Sequence, residues 1–410
     1  MARRRRIFEG MDRRMWILFY GRIIAATGFS IVIPFMSIYF RNQYGISMTE
    51  VGFILLISSS IGAIGQIVGG EVADKIGRRK VMAMAMAARA LIFLVAGFAV
   101  FANSGYIVIA ALVTMASFMG SMFEPATNAY IADIVPPNKR LEAYGMLRIG
   151  QNAGWALGPL IGGLLAFMGF GFLFFIGGMA MAIMAMVVIF LMTETLQSHV
   201  HEKFSLREMS SILQDKAFLT FCVVSIFLFI MFGQMSSTYA VWSTDNVGMS
   251  EAEVGYLYAI NGLIVILIQM PIARWISRYR MSSVIAMGSF CYFLGYALVG
   301  WAGGFLALAL CMVIITMGEV VVSPSSMNLV AALSPDNRRG RYMGVYGLFS
   351  SFGVACGPIC GGLIMDGTAG IGPLTWFLIA TFGLIATFGY LLMGRMVRSL
   401  DAAAAGGFRS

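Results

Sequence analysis

Five ionisable residues, Arg22, Arg89, Glu124, Arg148 and Glu319, stand inside long stretches that are otherwise apolar. A charge in hydrocarbon is costly and is a functional suspect by default. Glu319, in "ITMGEVVVSPSS", is the plainest case, because basic residues in the second half are confined to the ends of its apolar stretches. Desolvation favours the neutral form of a buried acid, so Glu319 is expected to load and release protons. Direct binding of a cationic substrate, or a neutral hydrogen-bonded structural role, are the competing readings. Glu124 precedes Pro125 at a depth comparable with Arg22, Arg89 and Arg148. It is the second proton-coupling candidate, with a structural or gating ion pair as its alternative. Three arginines against one glutamate leave excess positive charge in the first half. If they face a cavity, the substrate is anionic; if they snorkel to the nearer surface, they say nothing about it.

The elements that hold these groups follow from composition. The chain has 410 residues, 59% hydrophobic and 11% charged, where a soluble domain carries roughly 25% charge. Apolar runs, each long enough to cross about 30 Å of hydrocarbon as a helix, fall at 15–40, 51–72, 81–102, 105–131, 143–167 and 170–192. Six more fall at 218–242, 253–275, 282–302, 304–330, 342–365 and 372–395. Lipid leaves no backbone group unpaired, so helices are the expected spanning element.

Basic residues mark the cytoplasmic ends. Arg3 to Arg6, Arg13 and Arg14 precede the first span; Lys75, Arg78, Arg79 and Lys80 follow the second, and Lys139 and Arg140 the fourth. Lys203, Arg207 and Lys216 lie in the central connection, and Arg274, Arg278, Arg280, Arg338, Arg339, Arg341, Arg395 and Arg398 continue the pattern. The opposite side carries Arg41 with Glu50, Asp245, Glu251, Glu253 and Asp366. Both termini are therefore expected in the cytoplasm of a multi-pass cell-membrane protein, and the net charge of +9 is topology rather than a nucleic-acid surface. The basic amino terminus also suits anionic lipid. The first span is longer than a signal peptide's apolar core and is read as retained. Cys222, Cys291, Cys311, Cys356 and Cys360 fall within spans and read as buried singles rather than disulfides or a metal site.

The unit is written twice. "GISMTEVGF" at Gly45 returns as "GMSEAEVGY" at Gly248, and Gln66 falls on Gln269. Farther along, Pro125 meets Pro324, Pro136 meets Pro335, Asn138 meets Asn337, and "NAGWALGPLIGG" at Asn152 returns as "SFGVACGPICGG" at Ser351. The expected fold is an all-α membrane protein with twelve transmembrane helices in two six-helix pseudo-symmetric bundles. Its boundaries are a basic tail 1–14, a bundle 15–193, a linker 194–217, a bundle 218–396 and a tail 397–410. Parallel repeats of this kind place a site at the midplane between them and belong to secondary transporters. No phosphate-binding Gly-x4-Gly-Lys motif occurs, so ATP-driven pumping lacks its usual equipment.

Three features together resemble the major facilitator superfamily, and within it the drug/proton antiporter branch. "GGEVADKIGRRKVM" at Gly69 is similar to that family's signature loop; Gly154, Gly158, Pro159, Gly162 and Gly163 match its fifth-helix antiporter signature; the six-plus-six layout covers the chain. The resemblance implies a gating latch at Gly70, Asp74, Gly77 and Arg78, against the simpler reading of a solvated basic turn. The second half reads "ARWISRYRM", with Ser277 where Asp74 would fall, so any latch is one-sided. The glycines, with Gly353, Gly357, Pro358, Gly361 and Gly362 in the second copy, form small-residue stripes that let helices approach closely. The resemblance implies an interface between the halves; ordinary helix packing is the alternative. One departure stands out. Span four reads "TMASFMGSMFEP", without the arginine and Gly-x-Gly that many drug antiporters carry there.

Cavity candidates are Gln66, Gln151, Asn152, Gln234, Tyr239, Asn261, Gln269 and Asn328. The 32 methionines read as packing or lipid-facing residues more than as an adaptable pocket. "HVHE" at His199 reads as a solvated linker. No nucleophile–base or metal constellation marks an enzyme, and no catalytic residue, metal or cofactor is expected. The expected function is proton-driven efflux of small amphipathic or drug-like molecules by alternating access, with the partners being substrate, protons and lipid, and the chain a monomer. An exporter or exchanger of one metabolite, including an organic anion, is the first alternative. A non-transporting membrane sensor or scaffold is the second.

Overall fold

A computed structural model describes residues 12–136, 139–196, 212–276, 278–335, 338–368 and 371–396. The outer parts of both tails, most of the central linker with "HVHE", Ser277, Asn138 and Asn337 lie outside the described residues. Regular structure in the described residues is helical. The elements are α1 (Arg13–Ser30), α2 (Ile33–Tyr44), α3 (Met48–Ile76), α4 (Arg78–Phe101), α5 (Tyr106–Ser121), α6 (Phe123–Ile134), α7 (Arg140–Leu165) and α8 (Phe170–Leu191). After the linker come α9 (Lys216–Gln234), α10 (Thr238–Asp245), α11 (Glu251–Ile276), α12 (Met281–Val299), α13 (Phe305–Leu333), α14 (Arg339–Gly367) and α15 (Gly372–Met396).

Each of the twelve apolar runs is helical. Eleven are apolar and long enough to cross a membrane. The remaining run is α7, whose first half carries Arg140, Glu142, Arg148, Gln151 and Asn152; it is still one helix of 26 residues. Three runs are broken into two helices. Span one breaks at Ile31 and Val32, just before Pro34, and span four breaks at Met122, three residues before Pro125, each close to a residue that lacks a backbone N–H. Span seven breaks at Met235 to Ser237 with no proline. There the hydroxyls of Ser236 and Ser237 bond to the carbonyl of Gly233 at 3.3 Å, and the Tyr258 hydroxyl donates to the Met235 carbonyl.

The described chain divides into two compact units, one drawn from Met1–Tyr39 and Ile57–Val200, the other from Phe40–Leu56 and His201–Ser410. In the first, α1 packs on α7 and α4 on α8; in the second, α9 packs on α14 and α12 on α15. These are the same pairs of spans, one with five and three with six, counted within each half. The repeat is thus a repeat of packing as well as of letters.

Two of its sequence signals have plain physical causes. "GISMTE" and "GMSEAE" are capping boxes: Ser47 and Glu50 exchange backbone bonds at 2.8 and 3.2 Å, and Ser250 and Glu253 do so at 2.9 and 3.3 Å, each satisfying orphan donors at a helix start. The glycine before each box turns the chain with φ of +64° at Gly45 and +76° at Gly248, conformations that favour glycine.

The glycine stripe is the second. Gly154, Gly158 and Gly162 lie against Ala26, Ser30 and Phe35, beside the break between α1 and α2. A methyl on Gly154 would sit 2.5 Å from the Ala26 side chain. Gly353, Gly357 and Gly361 lie in the same way against Phe229, Gly233 and Gln234, beside the break after α9. The freed polar groups are met across the contact: the Ser30 hydroxyl bonds to the Gly154 carbonyl at 3.0 Å, and the Gln234 amide to the Gly357 carbonyl at 2.7 Å. These six positions therefore seat span five on span one and span eleven on span seven within their own units. Met82, Met86, Met181 and Met184 are buried in the first unit's core, as expected of packing residues, and Met84, Met115 and Met179 are exposed.

Candidate functional site

In the first unit, α1, α4, α6 and α7 bring four expected residues together, Arg22, Arg89, Glu124 and Gln151. The Arg22 guanidinium, on α1, donates to the Glu124 carboxylate at the start of α6 and, at 2.6 Å, to the Gln151 amide oxygen on α7. Arg22 is buried, whereas the Glu124 side chain is 42% exposed, so the pair is open on its acidic side. Arg89, on α4, is 8% exposed. Its guanidinium lies 4.0 Å from the Phe29 ring centroid and 5.8 Å from that of Phe93. Gly120 makes the room: a Cβ there would collide with the Arg89 guanidinium. Arg148 and Asn152 are exposed.

In the second unit, Glu319 sits half-buried on α13. The Asn261 amide, on α11, donates to its carboxylate at 2.9 Å and to the Thr316 hydroxyl oxygen at 3.0 Å. Thr316 spends its own proton on the Met312 carbonyl at 2.7 Å, so the direction of the chain is set and Asn261 must present N–H to Glu319. Tyr292 and Tyr296, within electrostatic reach of Glu319, stack on each other at 6.3 Å, and Tyr296 stacks on Trp376 at 5.8 Å. The acid is thus held by a neutral donor in an aromatic setting.

The remaining cavity candidates divide. Gln66 is exposed, and Gln269 and Asn328 are half-buried; Gln269 bonds to the Val320 carbonyl at 3.2 Å. Gln234 and Tyr239 are buried inside the second unit. Gln234 serves the helix break described above, and the Tyr239 hydroxyl bonds to the Leu308 carbonyl at 3.0 Å. Gly163, Pro159, Pro358 and Gly362 are buried, and Gly362 lies against the backbone of Met48 and Thr49.

The signature loop is a compact cluster at the end of α3. Arg78 lies 3.0 Å from Asp74 and 3.3 Å from Asp133 at the end of α6. Its Nε is at ion-pair distance from Asp133 but out of line for a hydrogen bond. Gly77, with φ of +115°, reverses the chain, and a Cβ on Gly70 would meet Pro125 at ordinary contact distance. The sequence reading overlooked two partners. Asp133 also accepts from the Thr195 hydroxyl at 2.8 Å. Glu194, assigned to the linker, accepts from the backbone N–H of Arg78 at 2.9 Å, of Lys80 at 3.4 Å and of Arg79 at 3.5 Å. It caps α4 from another part of the chain. Gly77 offers no capping side chain, so those orphan donors had to find one elsewhere; that was the available signal.

A corresponding cap lies at the far end of the second unit. Asp366, at the end of α14, accepts from the Thr49 backbone and hydroxyl at 2.7 Å each and from the Met48 backbone at 3.2 Å. Arg41 and Asp245 pair there at 3.5 Å.

Two duplicated packing units of six spans, with charges buried inside them, define a membrane transporter. Comparison with known proteins agrees: the profile of the Major Facilitator Superfamily matches residues 18–244 and 234–407, and the chain belongs to that family. It is a transporter and not an enzyme. It is 26% identical to a Na(+), Li(+), K(+)/H(+) antiporter of Planococcus maritimus, over 93% of this chain and 96% of that one. It is 28% identical to the multidrug resistance protein MdtH of Photorhabdus laumondii, over 91% and 92%. Among solved structures it is similar to a POT family transporter in complex with a thioalcohol-conjugated peptide, with a TM-score of 0.78, 15% identity, and coverage of 95% and 98%; at that identity the likeness speaks for the fold alone.

Proposed function

We propose that the protein is a proton-coupled exchanger that exports small amphipathic molecules by alternating access, with Glu319 as the proton carrier. The observation that carries this reading is the setting of Glu319: a half-buried carboxylate, midway along a membrane-spanning helix, held by the Asn261 amide. A neutral donor can hold a carboxylate or its acid, so the group can change charge without losing its place. Antiporter and multidrug resistance proteins among the relatives support exchange and export. The distribution of basic residues supports an orientation with both termini on the cytoplasmic side of the cell membrane. The chain works as a monomer on the proton gradient, without a cofactor. Asp74, Arg78, Asp133 and Glu194 brace the signature loop as the latch.

The test is proton movement in reconstituted vesicles that carry a pH-sensitive dye in the lumen. Substrate added outside is expected to move protons in wild-type vesicles and not in vesicles carrying Glu319→Gln. Full coupled exchange by Glu319→Gln removes Glu319 from the mechanism.

A further inference from the structure

We propose that the first unit holds an anion-binding subsite at Arg89, suited to the carboxylate of a small amphipathic organic acid. This builds on the exchanger reading and names the class of its substrate. Arg89 is in the middle of α4, and its Nε is buried without a hydrogen-bond partner among the described residues. The charged group that acts on it is Arg22, a like charge. The one acid of the cluster, Glu124, is engaged by Arg22, together with Gln151. Two guanidinium groups therefore share one carboxylate, and the cluster carries one uncompensated positive charge. The Nε of Arg22 is also buried without a partner.

A buried cation without a counter-charge is costly. The rings of Phe29 and Phe93 hold the plane of Arg89 by cation–π contact, which orients the charge but does not cancel it. A monovalent anion does. The planar fork of a guanidinium matches a carboxylate in two parallel hydrogen bonds, and Phe29, which is partly exposed, offers apolar contact for the remainder of an amphipathic acid. Gly120 is part of the design, since any larger residue would take the volume that the guanidinium occupies. The half-exposed side chain of Glu124 marks the open side of the cluster. A cation would meet repulsion from Arg89 at the same place.

The experiment uses the full chain purified in detergent, with benzoate as the probe, benzyl alcohol as its neutral counterpart and tetraphenylphosphonium as its opposite. Benzoate is expected to bind saturably and raise the thermal midpoint, and benzyl alcohol is not. Arg89→Gln is expected to weaken benzoate about tenfold or more, Arg89→Lys to fall between, and Arg274→Gln, in the second unit, to bind as the wild type does. Absence of saturable benzoate binding, equal stabilisation by benzoate and benzyl alcohol, or unchanged binding in Arg89→Gln overturns the proposal. If Arg89→Gln does not fold, the wild-type comparison of benzoate with benzyl alcohol still decides. Benzoate binding without proton exchange refutes the exchanger reading alone; proton exchange without benzoate binding refutes this subsite alone.

Discussion

Gly120 and Glu319 occupy the same place in the two halves, separated by the same 199 residues as Pro125 and Pro324. In the first half the place has no side chain, and the guanidinium of Arg89 fills it. In the second it is a carboxylate held by Asn261. The other charges within the apolar runs diverge in the same manner: by the same offset Glu124 falls on Ser323 and Arg148 on Gly347. The capping boxes, the breaks in spans one and seven and the glycine stripes are present in both copies; the break in span four is not, since α13 runs unbroken through Pro324. Residues that make the fold come in pairs, and the charges within the apolar runs do not. The two units are thus alike as machinery and unlike in charge, one holding the buried guanidinium groups of Arg22 and Arg89 and the other the half-buried carboxylate of Glu319.

The largest expected effect lies on the unlike side. Replacing Glu319 by Gln keeps the size and the hydrogen bond but fixes the charge at zero, and coupled transport is expected to fall about a hundredfold. Uncoupled, downhill movement of substrate should survive. Equal loss of both in flux assays would mean that Glu319 shapes the protein rather than coupling it. The next effect lies on the like side. Gly158→Val and Gly357→Val each push a side chain into the partner helix beside a break, and each is expected to lower stability by about 2 kcal/mol. The two costs should agree, because the contacts correspond. A large cost at one position and none at the other, measured by thermal unfolding in detergent, would show that the stripes do different work.

A smaller effect separates the halves again. Glu124→Ala strands the buried Arg22, while Ser323→Ala strands no charge. Breaking a fully buried pair costs about 3–5 kcal/mol; with the Glu124 side chain 42% exposed, about 1–2 kcal/mol is expected, against little for Ser323→Ala. Equal costs would show that Arg22 finds another partner.

The fold was legible because its signals are long and repeated. Twelve apolar runs and a self-match give the spans, and the helices overrun those runs by only a few polar residues, as at Arg13 and Tyr44. The intramembrane charges were legible as suspects, because Arg22, Arg89, Glu124 and Glu319 are conspicuous in apolar surroundings. Their pairing was not. That Arg22 takes Glu124 while Arg89 is left on Phe29 depends on side-chain reach across three helices, which one-dimensional spacing does not encode. The glycine stripe was found for the right reason, close approach, but its partner is α1 of the same unit, since small residues mark a contact without naming what it meets. Glu194 was missed because an acid in a polar segment has no periodicity to betray it.

Glu194 also gives the finest test of the comparison, because the second half has no matching loop: "ARWISRYRM" lacks the Gly-Arg turn that it caps. Burial pushes the Glu194 carboxyl up, but bonds from the backbone N–H of Leu196, Thr195, Arg79 and Lys80 outweigh it, and the group is held below its ordinary value. A carboxyl that is more acidic in the folded state contributes stability above the ordinary range, about pH 4.3, and loses it as pH falls through the depressed value. Glu194→Gln is therefore expected to cost about 1 kcal/mol at neutral pH, with the wild type and the variant converging on acidification. Unfolding curves taken across the carboxylate range measure this directly. A difference that stays constant from neutral to acid pH would mean that the charge of Glu194 is irrelevant to the cap, and that the signature loop is braced by Asp74 and Asp133 alone.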